Sequence, residues 1–168
     1  PDIFSVTVNP LPTVTANAAL TSMCDCGSTT LTEGGANIYT WDNSVTDGVA
    51  FSPTTTTTYS ISGTVLLGCI NTDIITVTVN PLPTVTANAT LTSMCDSGST
   101  TLTGGGANIY TWYNSVTDGV AFSPTTTTTY TVTGTDLLGC INTDIITVTV
   151  NPLPTVTANA TLTSMFDS

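Results

Sequence analysis

The sequence predicts an all-β protein made of small sandwiches in tandem. Short stretches alternate apolar and polar residues with period two between Gly, Pro and Asn punctuation, and no window has helical periodicity. Thr, Val and Ile, all strand formers, recur throughout. The segment VNPLPTVTAN starts at Val8, Val79 and Val150, a constant period of 71 residues. Such a period is too long for the common helical solenoids and suits one independent domain per copy.

Within a copy the elements follow in order. Pro12 to Ala16 and Ala19 to Met23 read as a split first strand, and Gly27 opens a second through Ser28 to Thr32 with Leu31 pointing inward. Gly34-Gly35 is a turn that needs positive φ. Asn37 to Trp41 follows with Tyr39 and Trp41 on one face, then Val49 to Phe51 ahead of Pro53. Tyr59 and Ile61 share a face of the next strand, opposite Thr58, Ser60 and Ser62. Ile75, Val77 and Val79 alternate with Thr76 and Thr78 in the last strand, which ends at Asn80-Pro81. Roughly seven short strands with regular turn signals are the pattern of a sandwich.

The boundaries predicted on this basis are 1–9, a last strand without its domain; 10–80 and 81–151, two complete repeats; and 152–168, the opening segment of a third. The two full copies differ only at Ala19/Thr90, Cys26/Ser97, Glu33/Gly104, Asp42/Tyr113, Ser60/Thr131, Ile61/Val132, Ser62/Thr133 and Val65/Asp136.

Composition excludes several functions. Lys, Arg, His and Gln are absent, and ten Asp with one Glu give a net charge of −11. Nothing in the chain neutralises phosphates, so neither nucleic acid nor an anionic membrane surface is an expected partner. Trypsin-like proteases find no cleavage site, which suits a long-lived protein outside a cell. No signal-peptide-like stretch and no apolar run near bilayer length occurs, so membrane insertion is not expected. Enzymatic activity is not expected either: with no His or Lys, neither a Ser nor a Cys has the usual base beside it.

A unit of this size sits near the lower limit for burying enough core, so a covalent staple is expected. Cys24 and Cys69 are 45 apart, as are Cys95 and Cys140, and the matched positions predict one disulfide inside each copy. On the chain-entropy scale such a loop stabilises by about 3 to 4 kcal/mol. Cys26 is left as an unpaired thiol, since its counterpart is Ser97. The cysteines imply an oxidising compartment. With no His and no CxxC pair, zinc is not expected.

The stretches GSTTLTGGGANIYTW, FSPTTTTTYTVTGTDLLGC and INTDIITVTVNPLP together resemble the immunoglobulin-like repeats of secreted bacterial surface proteins, especially those of Bacteroidota. The resemblance covers essentially the whole chain. It implies structural or adhesive work at the cell surface or in an extracellular filament, with no enzymatic activity in the repeat. Extracellular helical fibrils of immunoglobulin-like domains from freshwater are similar. The antibody pattern fits less well, because Leu67 rather than Tyr sits two residues before Cys69.

Residues 1–9, PDIFSVTVN, match TDIITVTVN at 72–80, so they have the sequence of a final strand whose domain is elsewhere. Ile3, Phe4, Val6 and Val8, with Val156, Leu162 and Phe166 in the opening segment, are therefore the expected assembly residues. Phe4 stands where the full copy has Ile75, and Phe166 where it has Cys24. The expectation is a homopolymer joined head to tail by strand addition to a neighbour's edge. The alternative is a stalk or binding module, a window of a longer array, whose loop at Asp42 or Tyr113 contacts glycan or a host surface.

Asn88 and Asn159 open N-x-T sequons, and Thr54, Thr55, Thr56, Thr57 and Thr58, with Thr125, Thr126, Thr127, Thr128 and Thr129, are candidate carriers of O-linked sugar. The plainer reading of the threonines, a turn and an exposed strand face, is preferred. No cofactor is expected. Calcium is weighed because Asp25/Asp96, Asp47/Asp118 and Asp73/Asp144 persist, but Asp42 and Asp136 are not shared between copies, and solvated charge is preferred.

Overall fold

The computed structural model describes residues 4–159. Among these the fold is all-β, and the residues group into two compact units, 4–83 with 135–141 and 84–134 with 142–159. The first contains β1 (Thr15–Ala18), β2 (Ser22–Cys24), β3 (Leu31–Gly34), β4 (Ile38–Trp41), β5 (Thr57–Thr64) and β6 (Ile70–Asn80). The second is built on β7 (Thr86–Ala89), β8 (Ser93–Cys95), β9 (Thr100–Gly105), β10 (Ile109–Trp112), β11 (Ala121–Phe122), β12 (Thr128–Thr135) and β13 (Ile141–Asn151).

Each copy has two sheets. In the first, β1 pairs antiparallel with β3, and the other sheet has the order β2-β6-β5-β4. In the second the corresponding orders are β7-β9-β11 and β8-β13-β12-β10. The split first strand is real, and the split has a function: β1 belongs to one sheet, whereas β2 crosses to the other and pairs parallel with the end of β6. Thr29 holds the crossing. Its buried hydroxyl donates to the Leu20 carbonyl at 2.9 Å and accepts from the Leu20 N–H at 3.0 Å, so a polar group inside the fold is satisfied in both roles.

Period-two patterning places the core between the sheets. In β5, Tyr59 and Ile61 point inward while Thr58 faces out, where its hydroxyl meets that of Thr76 on β6 at 2.8 Å. Leu31 of β3, Val77 of β6, Met23 of β2 and Trp41 of β4 complete the cluster, with Val14 just ahead of β1. Full burial of Leu31, Ile61 and Val77 is worth about 1.5 to 3 kcal/mol each. The equivalent residues Val85, Met94, Leu102, Trp112, Tyr130, Val132 and Val148 form the second core. Gly63 continues the inward face of β5 because a Cβ there would lie 2.5 Å from Val14 Cγ2 and 2.8 Å from Ala36 Cβ.

The turn after β3 has Gly35 at φ 88°, the conformation expected of the Gly-Gly pair. Tyr39 closes it: the phenol accepts from the Ala36 N–H at 2.5 Å and donates to the Ala36 carbonyl at 2.8 Å.

Candidate functional site

The cysteines pair differently from the expectation. Cys24 is bonded to Cys140, and Cys69, Cys95 and Cys26 are free thiols. The disulfides predicted inside each copy, Cys24–Cys69 and Cys95–Cys140, do not form. The reason lies in the register of the parallel pair. Cys24 is beside Asn80, at the end of β6, and the Asp25 N–H donates to the Asn80 carbonyl at 2.8 Å. Cys69 immediately precedes Ile70, at the start of that strand. An 11-residue strand is about 36 Å long, whereas disulfide-bonded Cα atoms lie within about 7 Å of each other. Cys95, beside Asn151, and Cys140, before Ile141, are separated in the same way by β13.

The bond that forms spans 116 residues, which is the 45-residue spacing inside a copy plus one 71-residue period. Residues 135–141 group with the first compact unit, and Cys140 is fully buried. A disulfide indicates an oxidising, non-cytoplasmic compartment.

The turns that carry Cys69 and Cys140 share a backbone. Val65 N–H donates to the Cys69 carbonyl at 3.1 Å, and Asp136 N–H to the Cys140 carbonyl at 3.0 Å. Asp136 adds a side-chain acceptor, taking the N–H groups of Leu138 and Cys140 at 2.8 Å each. Leu66 and Leu67, and Leu137 and Leu138, are exposed at the tips.

The residues expected to mediate assembly lie open where they are described. Phe4, Val6 and Val8 are 88%, 87% and 86% exposed and belong to no strand, and Val156 is likewise exposed. Ile3, Leu162 and Phe166 lie outside the described residues.

The repeated carboxylates have local partners that sequence reading did not reveal. Asp73 accepts from the Ala16 N–H and Asp144 from the Ala87 N–H, both at 2.8 Å, which ties the start of each copy to its last strand. These bonds, followed by those from the N–H groups of Ile74 and Ile145, hold both carboxyls below the ordinary aspartate value of 3.8. Asp25 and Asp96 accept from the following N–H, and Asp47 and Asp118 from the indoles of Trp41 and Trp112. Persistence of these aspartates thus has a hydrogen-bonding cause. No cluster of three or more metal-ligating side chains and no pocket is found among the described residues.

The threonine runs are mostly exposed, but several hydroxyls are engaged. Thr56 accepts from the Val79 N–H at 3.0 Å, Thr57 donates to the Thr55 carbonyl at 2.9 Å, and Thr127 and Thr128 repeat these contacts. Thr54, Thr55, Thr125 and Thr126 are exposed in the approach to each strand. Asn88 is exposed on β7, and its amide reaches Thr86 and Thr103 at 3.4 Å. Asn159 is exposed, but its sequon extends past the described residues.

No family model matches the chain, and no curated protein matches it.

Proposed function

We propose that the chain is a structural subunit of an extracellular or cell-surface filament, in which immunoglobulin-like sandwiches follow one another head to tail. One contrast carries this reading. The stretch ITVTVN at 75–80 lies in β6, between β5 and β2, with Val77 fully buried. The stretch FSVTVN at 4–9 has nearly the same sequence, pairs in a sheet with nothing among the described residues, and leaves three large apolar side chains exposed. A segment of this kind satisfies its backbone and covers those side chains by joining a sheet edge, and the edge proposed is that of another copy. Such a contact is heterologous and does not close, so it propagates. The repeat contributes no catalytic step in this reading, and its partners are copies of itself, with covalent glycans as additions to an exposed surface.

A second reading, a stalk or binding module recognising glycan or a host surface, is favoured by Tyr113, which is exposed on a loop where the first copy has Asp42. Negative-stain images separate the two. The intact chain is expected to form fibres, and the chain lacking residues 1–9 separate small particles. Fibres that survive the deletion unchanged, or an intact chain that never forms them, would remove the filament reading.

A further inference from the structure

We infer that Cys95 of one copy and Cys69 of the next form an intermolecular disulfide that repeats the Cys24–Cys140 bond, so that the filament is covalently linked along its length. The inference rests on the head-to-tail reading above and adds the chemistry of the junction.

The repeat makes the equivalence direct. Cys95 occupies the position of Cys24 one period on, and Cys69 the position of Cys140 one period back. In the bonded pair, the cysteine beside the end of one copy's last strand joins the cysteine in the hairpin turn of the copy that follows. Cys95 has the same place beside Asn151, and the Asp96 N–H donates to the Asn151 carbonyl at 2.9 Å, as Asp25 does to Asn80. Cys69 has the same place in its turn, closed by the Val65–Cys69 and Gly68–Val65 backbone bonds. Cys95 and Cys69 are both free thiols in these two places, and the bonded pair shows the kind of partner each place takes.

A bond between Cys95 and Cys69 of one molecule is not the alternative. The bond that forms joins a copy to the one after it, whereas Cys69 lies in the copy before Cys95, so a bond between those two would run the other way. The difference in burial agrees: Cys140, which has its partner, is fully buried, while Cys69 is only half-buried and Cys95 exposed. The substitution at position 97 also fits. Cys26 lies two residues from Cys24 with φ 69°, and the second copy has Ser97 there with φ 70°, so Cys95 has no neighbouring thiol to divert its oxidation.

Chemically, the two thiols lose two protons and two electrons as one S–S bond forms, and a low-molecular-weight disulfide accepts the electrons and becomes two thiols. Glutathione disulfide serves as that oxidant in the test. Reduced chain, half of it labelled with ¹⁵N, is oxidised in glutathione buffer, run on a non-reducing gel and digested with an Asp-directed protease, since trypsin has no site. The expected result is a ladder of multimers and a Cys69–Cys95 peptide pair that mixes the two isotopes. Cys95→Ser and Cys69→Ser should each abolish that pair and the ladder, while Cys26→Ser keeps both. Only unmixed pairs, or multimers joined solely through Cys26, would overturn the inference. Fibres in the electron microscope that contain no Cys69–Cys95 pair also overturn it and leave the filament reading standing. Cross-linked multimers that never form fibres support the bond and remove that reading.

Discussion

The two copies have the same topology and the same core positions, yet they differ in how well they satisfy their polar groups. In the second, Gly104 lets the Tyr110 ring lie against the backbone where any Cβ would overlap it. Asp118 Oδ1 then receives both the Gly104 N–H and the Trp112 indole N–H at 2.8 Å. In the first, Glu33 stands in that place, the Trp41 indole is 3.4 Å from Asp47, and Glu33 Oε2 is buried without a hydrogen-bond partner. The strands differ at the other end as well: β9 has six residues where β3 has four, the added ones being Thr100 and Thr101, and Phe122 lies in β11 where Phe51 makes a single bridge to Thr29. Side-chain alternation sets the fold in both copies, while single substitutions change the local hydrogen bonding: Thr90, where the first copy has Ala19, accepts from the N–H of Thr101, one of the two residues by which β9 is longer, at 2.9 Å.

The largest way to break this contrast is to exchange the residues at positions 33 and 104. Gly104→Glu is expected to destabilise the second copy by about 2 to 3 kcal/mol, through a buried carboxylate and the displaced tyrosine. Glu33→Gly should stabilise the first by about 1 kcal/mol, the gain being reduced by glycine's entropy in a strand. Hydrogen exchange resolved by copy checks both, and equal protection in the two variants would dismiss the role given to Glu33.

A smaller exchange concerns the hairpin turns. Asp136→Val removes the acceptor of two N–H groups and should cost about 1 kcal/mol, seen as faster exchange at Leu138 and Cys140. Val65→Asp should slow exchange at the matching amides of the first copy. Unchanged rates in both variants would show that the backbone bonds alone hold these turns.

The smallest expected difference is in acid, where the copies should behave alike. Asp73 and Asp144 release their protons more readily folded than unfolded, so their contribution is complete above 3.8 and is lost as pH falls through the lowered folded values. Acid titration of stability should show equal losses in the two copies, and Asp73→Asn with Asp144→Asn should flatten the curve there. A steeper curve in the double variant would reverse the assignment.

Much of the fold is legible in the residues. Alternation around Tyr59, Ile61 and Val77 gives the inward faces, the Gly34-Gly35 pair the turn, and the repeat the unit. The cysteine pairing is not legible, because spacing along the chain carries no information about which end of a sandwich a residue reaches. That depends on β2 running parallel to β6, a pairing that no local pattern around Met23 announces. The role of the repeated aspartates is not legible for a related reason: repetition marks a residue as needed but does not show that Asp73, read as solvated charge, accepts from the Ala16 N–H. Exposure of Phe4, Val6 and Val8 agrees with their reading as residues that pair with nothing among the described residues.

The parallel pairing of β2 with β6 also bears on mechanics. The chain enters a copy ahead of β2 and leaves it after Asn80, so a pull on the two ends draws these strands in opposite directions along their length. The bonds from the Thr78 N–H to the Thr21 carbonyl and from the Asp25 N–H to the Asn80 carbonyl, both 2.8 Å, lie across that direction. Tension therefore loads them together, in shear, instead of peeling them apart one after another.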